Sequence, residues 1–186
     1  MNLVEKVQEK LDSLTSYLNA HSRKLEWTTE IHERIAGLAQ EFADSKGIDC
    51  GSVKHSSRGG QRIAVCVTGG SGRNPHAVEP QFLYDQCWVT CFDNSLGDDG
   101  YATELDFAME TEWCTDGGSN DELHRDFLKL VAGSALVKVM VFWHPSKTKS
   151  ESIIDEFLKQ ISHFKPRNGD YLLSLFSERQ FHHYTA

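Results

Sequence analysis

Two glutamates two residues apart, Glu110 and Glu112, interrupt the apolar character of "LDFAMETEWCTD" (105–116). Alternation along an extended chain sends both to one side, with backbones about 6.5–7 Å apart. Without a counter-charge the pair repels, and a hard cation such as Mg²⁺ favours oxygen ligands at that density. The same alternation predicts one row of Leu105, Phe107, Met109, Thr111 and Trp113, and an opposite row of Glu104, Asp106, Ala108, Glu110 and Glu112. Another acid, Asp85, stands in "LYDQCW" between Leu83 and Cys87 of a core-like run, where an unpaired carboxylate is costly. If the two runs pair as a hairpin, Asp85 meets the glutamates, and three carboxylates can hold one or two divalent ions at the sheet edge. "DFLKL" supplies Lys129, on a helix that must pack over the strand it follows. Its four-carbon stem can reach the strand's end, offset the carboxylates, and orient a water or stabilise charge developing on a phosphate.

Plainer accounts stand beside these. Glu110 and Glu112 can belong to a solvated strand face shared with Glu104 and Asp106. Asp85 can bond backbone at a turn or strand edge, and Lys129 can be a surface lysine. His182 and His183 are adjacent, so on an extended chain they point apart, which favours a tail or interface role over a shared metal. Cys87, Cys91 and Cys114 have no partner base at a recognisable spacing, which argues against a thiol nucleophile. "GGSGRNP" (69–75) lacks the GK[ST] ending of a phosphate-binding loop. The local basic clusters are "KHSSRGGQR" (54–62), with Lys54, Arg58 and Arg62, and "HPSKTK" (144–149). Either can grip a nucleic-acid backbone in a salt-sensitive way.

The surrounding pattern indicates what holds these residues. Leu3, Val4, Val7, Leu11, Leu14 and Leu18 recur at three and four, predicting an amphipathic helix over 3–18. A second helix follows in "WTTEIHERIAGLAQEFADSKG", with Thr28 or Thr29 as N-cap and Gly47 as its stop. The period then shortens to that of strands over 61–69, 81–93 and 101–113, the last two joined by the turn formers of "NSLGDDG" as an antiparallel hairpin. Leu123, Phe127, Leu130 and Val131 share a helical face, "ALVKVMVFW" (135–143) is a strand apolar on both faces, and Ile153, Ile154, Phe157, Leu158 and Ile161 mark another helix. "DYLLSLFSERQFHHYTA" begins as a strand. The order α, α, β, β, β, α, β, α, β predicts a single α/β domain with a mixed central sheet flanked by helices.

The chain has 186 residues, 39% hydrophobic and 25% charged, enough for a core without staples. No apolar run approaches the roughly 18–20 residues of a membrane span, and the N-terminus has no signal-peptide pattern. Five cysteines without a CxxC pair argue for reduced thiols and a cytoplasmic setting. A net charge of −8 excludes a protein coated in basic surface. Nucleic acid must then be met through a local patch or a metal ion.

The arrangement "YD…ETEW…DFLKL…VKVMVFW" resembles the PD-(D/E)xK nuclease superfamily, the restriction endonuclease-like fold of many restriction and DNA-repair enzymes. The resemblance implies a core of order α-β-β-β-α-β over 28–176, an N-terminal helical extension over 1–27 and a C-terminal tail over 177–186. It implies Asp85 as the first acid, Glu110 as the second, and Glu112 where the family usually has lysine, with Lys129 as a lysine migrated to the following helix. It also implies an acid on the first core helix, Glu33 or Glu30, although a helix of this kind exposes several glutamates. The implied activity is Mg²⁺- or Mn²⁺-dependent hydrolysis of DNA phosphodiester bonds, with Asp85, Glu110 and Glu33 on the metal. The alternative is a non-catalytic member of the fold, binding nucleic acid or assembling with protein. The stripe of 3–18 either packs on the domain or pairs with a second copy.

Overall fold

The computed structural model describes residues 2–51, 61–67, 77–78, 84–92, 101–114, 120–164 and 169–186. Among them the chain forms α1 (Leu3–Ser13), α2 (Thr15–Ala20), α3 (Lys24–Ala36), α4 (Leu38–Lys46), β1 (Asp49–Cys50), β2 (Gln61–Val67), β3 (Ala77–Val78), β4 (Gln86–Phe92), β5 (Tyr101–Trp113), α5 (Asp121–Ala132), β6 (Val137–Trp143), α6 (Lys147–His163), β7 (Asp170–Ser177) and β8 (Gln180–Thr185). The strands make one mixed sheet in the order β1-β2-β4-β5-β6-β7-β8, with β3 paired to β2. β2, β4 and β5 run antiparallel in succession, whereas β5, β6 and β7 are parallel. The α/β class expected from the sequence is the class observed.

Strand alternation divides the interior into two layers. Val65, Trp88, Phe107, Met109, Val139 and Leu172 face the α1–α4 layer. Ala108, Met140, Phe142, Leu173 and Leu175 face α5 and α6. The stripe over 3–18 is two helices rather than one, separated at Leu14. Val7 and Leu11 are fully buried in the first layer, so the stripe is covered by its own chain.

The second predicted helix also differs in detail. It starts at Lys24, and neither Thr28 nor Thr29 is a cap. Their hydroxyls donate to the carbonyls of Lys24 (3.2 Å) and Leu25 (3.0 Å), one turn back inside the helix. Gly47 does end α4, with a left-handed φ of 71° that suits glycine.

β5 is the 13-residue strand that carries the acids. Its register with β4 passes from Trp88↔Phe107 to Val89↔Leu105, leaving Asp106 as an extra residue in a β-bulge. The bulge corrects the predicted single row of acids. Asp106 and Glu104 turn toward the α4 layer and bind Lys46, and Leu105 turns to the opposite side beside Ala108 and Cys87. Glu110 stays on the α5 side. The acids of β5 are therefore split between the two faces of the sheet.

The expected C-terminal tail is largely strand. Glu178 and Arg179 adopt φ of 50° and 66°, and Ser177 pairs with Gln180, so two residues turn β7 into β8. His183 lies between Ser174 Oγ (2.9 Å) and Asp12 (3.2 Å), tying the last strand to α1.

Burial of Leu11 inside the chain gives a direct expectation. Leu11→Ala should lower the unfolding free energy by about 2–5 kcal/mol, measured by urea denaturation at two protein concentrations. The midpoint should not move with concentration; a shift would mean that a second copy covers the stripe.

Candidate functional site

Glu110 lies near the carboxyl end of β5, where α5 crosses above it. Leu123, Phe127, Leu130 and Val131 bury one face of α5, which leaves Asp126 and Lys129 on the flank beside the glutamate. Lys129 Nζ is 2.8 Å from Glu110 Oε1 and 2.8 Å from Asp126 Oδ1. Glu110 is only 1% exposed. Lys129 meets Oε1 as an ion partner, and beyond that contact neither carboxylate oxygen has a hydrogen-bond partner among the described residues. An ion pair screens such a group only partly, and a buried carboxylate without hydrogen bonds is costly.

The electrostatics follow from that geometry. Burial is the largest influence on Glu110; Lys129 acts against it, while the charges of Asp85 and Asp126 add to it, and the carboxyl is pushed up to about 8. Burial alone would lower the Lys129 ammonium, but its pairing with Asp126 and Glu110 outweighs that and raises it. Glu112 is half-buried and also raised, by burial and then by Asp126 and Glu122.

Asp85 does not sit in the strand as expected. It lies in a bend immediately before β4, whose ladder with β5 ends at Gln86↔Met109. Beyond that pair, Asp85 Oδ2 takes over as acceptor: it receives the Thr111 backbone N–H (2.9 Å) and the Thr111 hydroxyl (2.9 Å). The side chain thus extends the ladder after the backbone has left it. Asp85, Glu110 and Glu112 thus stand at the same end of β5, where the charge of Asp85 is felt by both glutamates and Lys129 contacts Glu110.

Tyr84 packs beside them. Its hydroxyl donates to the Lys129 carbonyl (3.3 Å). A Cβ at Gly133 would lie 2.1 Å from that hydroxyl oxygen and 3.2 Å from the same carbonyl, so the end of α5 needs glycine for this approach.

Of the other predicted residues, Glu33, Glu30 and Arg62 are not brought to this place. Glu33 is exposed on α3, with its charge felt by Tyr17 rather than by Glu110 or Glu112, and Glu30 pairs with Arg34 at 2.6 Å. The reason is rotational: α3 turns Ile31, His32 and Ile35 to the sheet, which sends position 33 outward. Arg62 is 4% exposed within β2, paired in register with Asp49 and Cys91, and is no surface grip for phosphate. Lys54 and Arg58 lie outside the described residues, as does the glycine-rich stretch 69–75. Lys147, from the other basic cluster, pairs with Glu178 at 2.8 Å. Among the described residues, no group of three or more His, Cys, Asp or Glu is arranged to hold a metal ion. No helix there is long and apolar enough to cross a membrane.

No family model, curated protein or solved structure matches the chain. The site therefore rests on its own geometry.

Three neighbours of the site escaped sequence reading. Asp126 lies three residues before Lys129, a spacing that puts both on one helix flank, and this signal was available. His32 sits inside the apolar stripe of α3, between Ile31 and Ile35, where a polar residue calls for a partner. Thr111 supplies it, with His32 Nε2 3.2 Å from its hydroxyl oxygen. Pairing between residues 79 positions apart leaves no trace in spacing.

Glu110 yields a pH prediction. An acid whose folded pKa is raised holds its proton more tightly folded than unfolded. Its stabilising share is complete below about 4.5 and is lost as pH climbs toward about 8. In buffer containing a chelator, stability should fall over that window by on the order of a few kcal/mol. Glu110→Gln should flatten the fall and be the more stable protein at pH 8, as read by urea unfolding across pH.

Proposed function

We propose that the protein is a divalent-metal-dependent nuclease hydrolysing DNA phosphodiester bonds, with its centre at the carboxyl end of β5. The observation that carries this reading is the Glu110 carboxylate: almost wholly buried, held by one lysine, and without a hydrogen bond to either oxygen among the described residues. A group left in that condition is suited to a cation. Asp85 fits alongside it, since Oδ2 is committed to Thr111 while Oδ1 has no hydrogen-bond partner among the described residues.

The order of elements supports the reading too. The helical run α3–α4, followed by β2, β4, β5, α5 and β6, matches the α-β-β-β-α-β succession, if the two-residue β1 and β3 are set aside. The acids stand at the carboxyl end of the first of three parallel strands, the end at which open α/β sheets present ligand sites.

Asp85 and Glu110 would hold Mg²⁺ or Mn²⁺. When bound, the ion supplies Lewis-acid activation of water and charge neutralisation of the phosphate. The chain's own residues do the rest. Lys129 keeps its proton through Asp126 and Glu110 and offers positive charge to an incoming phosphodiester. Glu112, half-buried with a raised pKa, would accept a proton from water. Burial beneath α5 lowers the local dielectric and strengthens each of these interactions.

A second reading has its own observation. The described residues contain no three-ligand group, and Lys129 is already engaged by two carboxylates. These features favour a nuclease-fold module that binds nucleic acid or protein without turnover.

Calorimetry with Mg²⁺ and Mn²⁺, paired with a plasmid and single-strand nicking assay, separates the two. The nuclease requires metal binding and cutting by wild type, with both lost in Asp85→Ala and Glu110→Ala. Lys129→Ala should bind metal but cut at least about 100-fold more slowly, as expected for removal of one electrostatic stabiliser. Binding without cutting favours the module, and absence of binding at millimolar metal overturns the site.

A further inference from the structure

The first core helix contributes a different residue from the acid expected there. α3 sends Glu33 to solvent and His32 inward. His32 is 6% exposed, and its Nε2 lies 3.2 Å from Thr111 Oγ1. That hydroxyl has one hydrogen, and its other partner, Asp85 Oδ2 at 2.9 Å, is a carboxylate that can only accept. Thr111 therefore donates to Asp85 and must accept from His32, which fixes the histidine as a donor through Nε2. The result is a directed chain, His32 to Thr111 to Asp85, linking α3, β5 and the bend before β4.

From this chain we infer that His32 and Thr111 are positioning residues for the metal-binding carboxylate of Asp85. The inference rests on the metal-site reading above. Three constraints act on one oxygen. The Thr111 N–H and O–H both bind Oδ2, and His32 holds the hydroxyl in the rotamer that does so. With Oδ2 fixed by two donors of one residue, the carboxylate plane is held and Oδ1 keeps one orientation. The Asp85 side chain does not belong to a strand, so without this chain nothing in the backbone ladder would set its direction. The His32 end is anchored as well. With its amide turned so that nitrogen faces a carbonyl, Gln86 donates to the His32 backbone oxygen at 3.2 Å and accepts from the Ala36 N–H at 3.1 Å, clamping α3 to the first residue of β4.

Removal of such a partner usually lowers metal affinity by about 10- to 100-fold, which sets the expected effect. The test is Mn²⁺ calorimetry on the full chain, with thermal unfolding of every variant in chelator. Thr111→Val keeps the branched shape and removes the hydroxyl; it and His32→Leu should each weaken Mn²⁺ binding within that range. Thr111→Ser keeps the hydroxyl and should bind within about twofold of wild type.

Each outcome decides something. Wild type that binds Mn²⁺ while Thr111→Val binds equally well overturns this inference and leaves the metal site standing. A loss that Thr111→Ser shares, or that comes with an equal loss of thermal stability in chelator, makes the residues structural and overturns it as well. Wild type that binds no Mn²⁺ overturns the metal site and this inference together. If Thr111→Val does not fold, His32→Gln carries the test. Its amide can donate to Thr111, so it should bind more tightly than His32→Leu at equal stability, and equal affinity in the two would count against the chain.

Discussion

β5 is covered on both faces and carries acids to both, and the two that are almost wholly buried, Asp106 and Glu110, each meet a lysine from the layer above them. On one side α4 ends in Lys46, which reaches Glu104 and Asp106, with Thr90 completing the aspartate's partners. On the other side α5 brings Lys129 to Glu110. The bulge at Asp106 makes this division possible, since unbroken alternation would have placed all the acids beneath α5. The two charge sets differ in completeness. Asp106 has a lysine and a hydroxyl on its two oxygens; Glu110 has a lysine on one and no hydrogen bond on either. Packing within the chain explains the first fully and the second in part.

Much of the fold could be read from residue pattern, because its elements are long and their apolar periods pure. β2, β5, β6, α5 and α6 fell close to where spacing put them, and the alternation of helix and strand after residue 120 gave the parallel part of the sheet. What stayed hidden had local causes. The turn between β7 and β8 uses Glu178 and Arg179 at positive φ without glycine or asparagine, so no turn signal marked the final strand. The start of α3 was misplaced because Thr28 and Thr29 look like caps but bond backward within the helix. A bulge shifts register by one residue without any fixed composition, so the division of the acids could not be foreseen from β5 alone.

For the site, residue type was more legible than residue role. Asp85, Glu110, Glu112 and Lys129 lie at one end of β5, and the pairing of a lysine on the following helix with a strand glutamate is the contact that spacing suggested. Asp85 reached that place by a different route, as a side chain standing in for a backbone carbonyl. Choosing Glu33 on α3 failed because charge says nothing of helical phase; a single step of 100° exchanges it for His32. Partners distant in sequence, such as His32 and Thr111, emerge only once helix and sheet are docked.

Gly133 gives the arrangement an unexpected dependence. The carbon it lacks is the space that the Tyr84 hydroxyl fills against the last turn of α5. Tyr84 is bonded in sequence to Asp85, so the residue seated against the end of α5 is the neighbour of the acid that bonds Thr111. A methyl group at 133 would require the Tyr84 hydroxyl to shift, and the displacement would fall on the residue next to that acid.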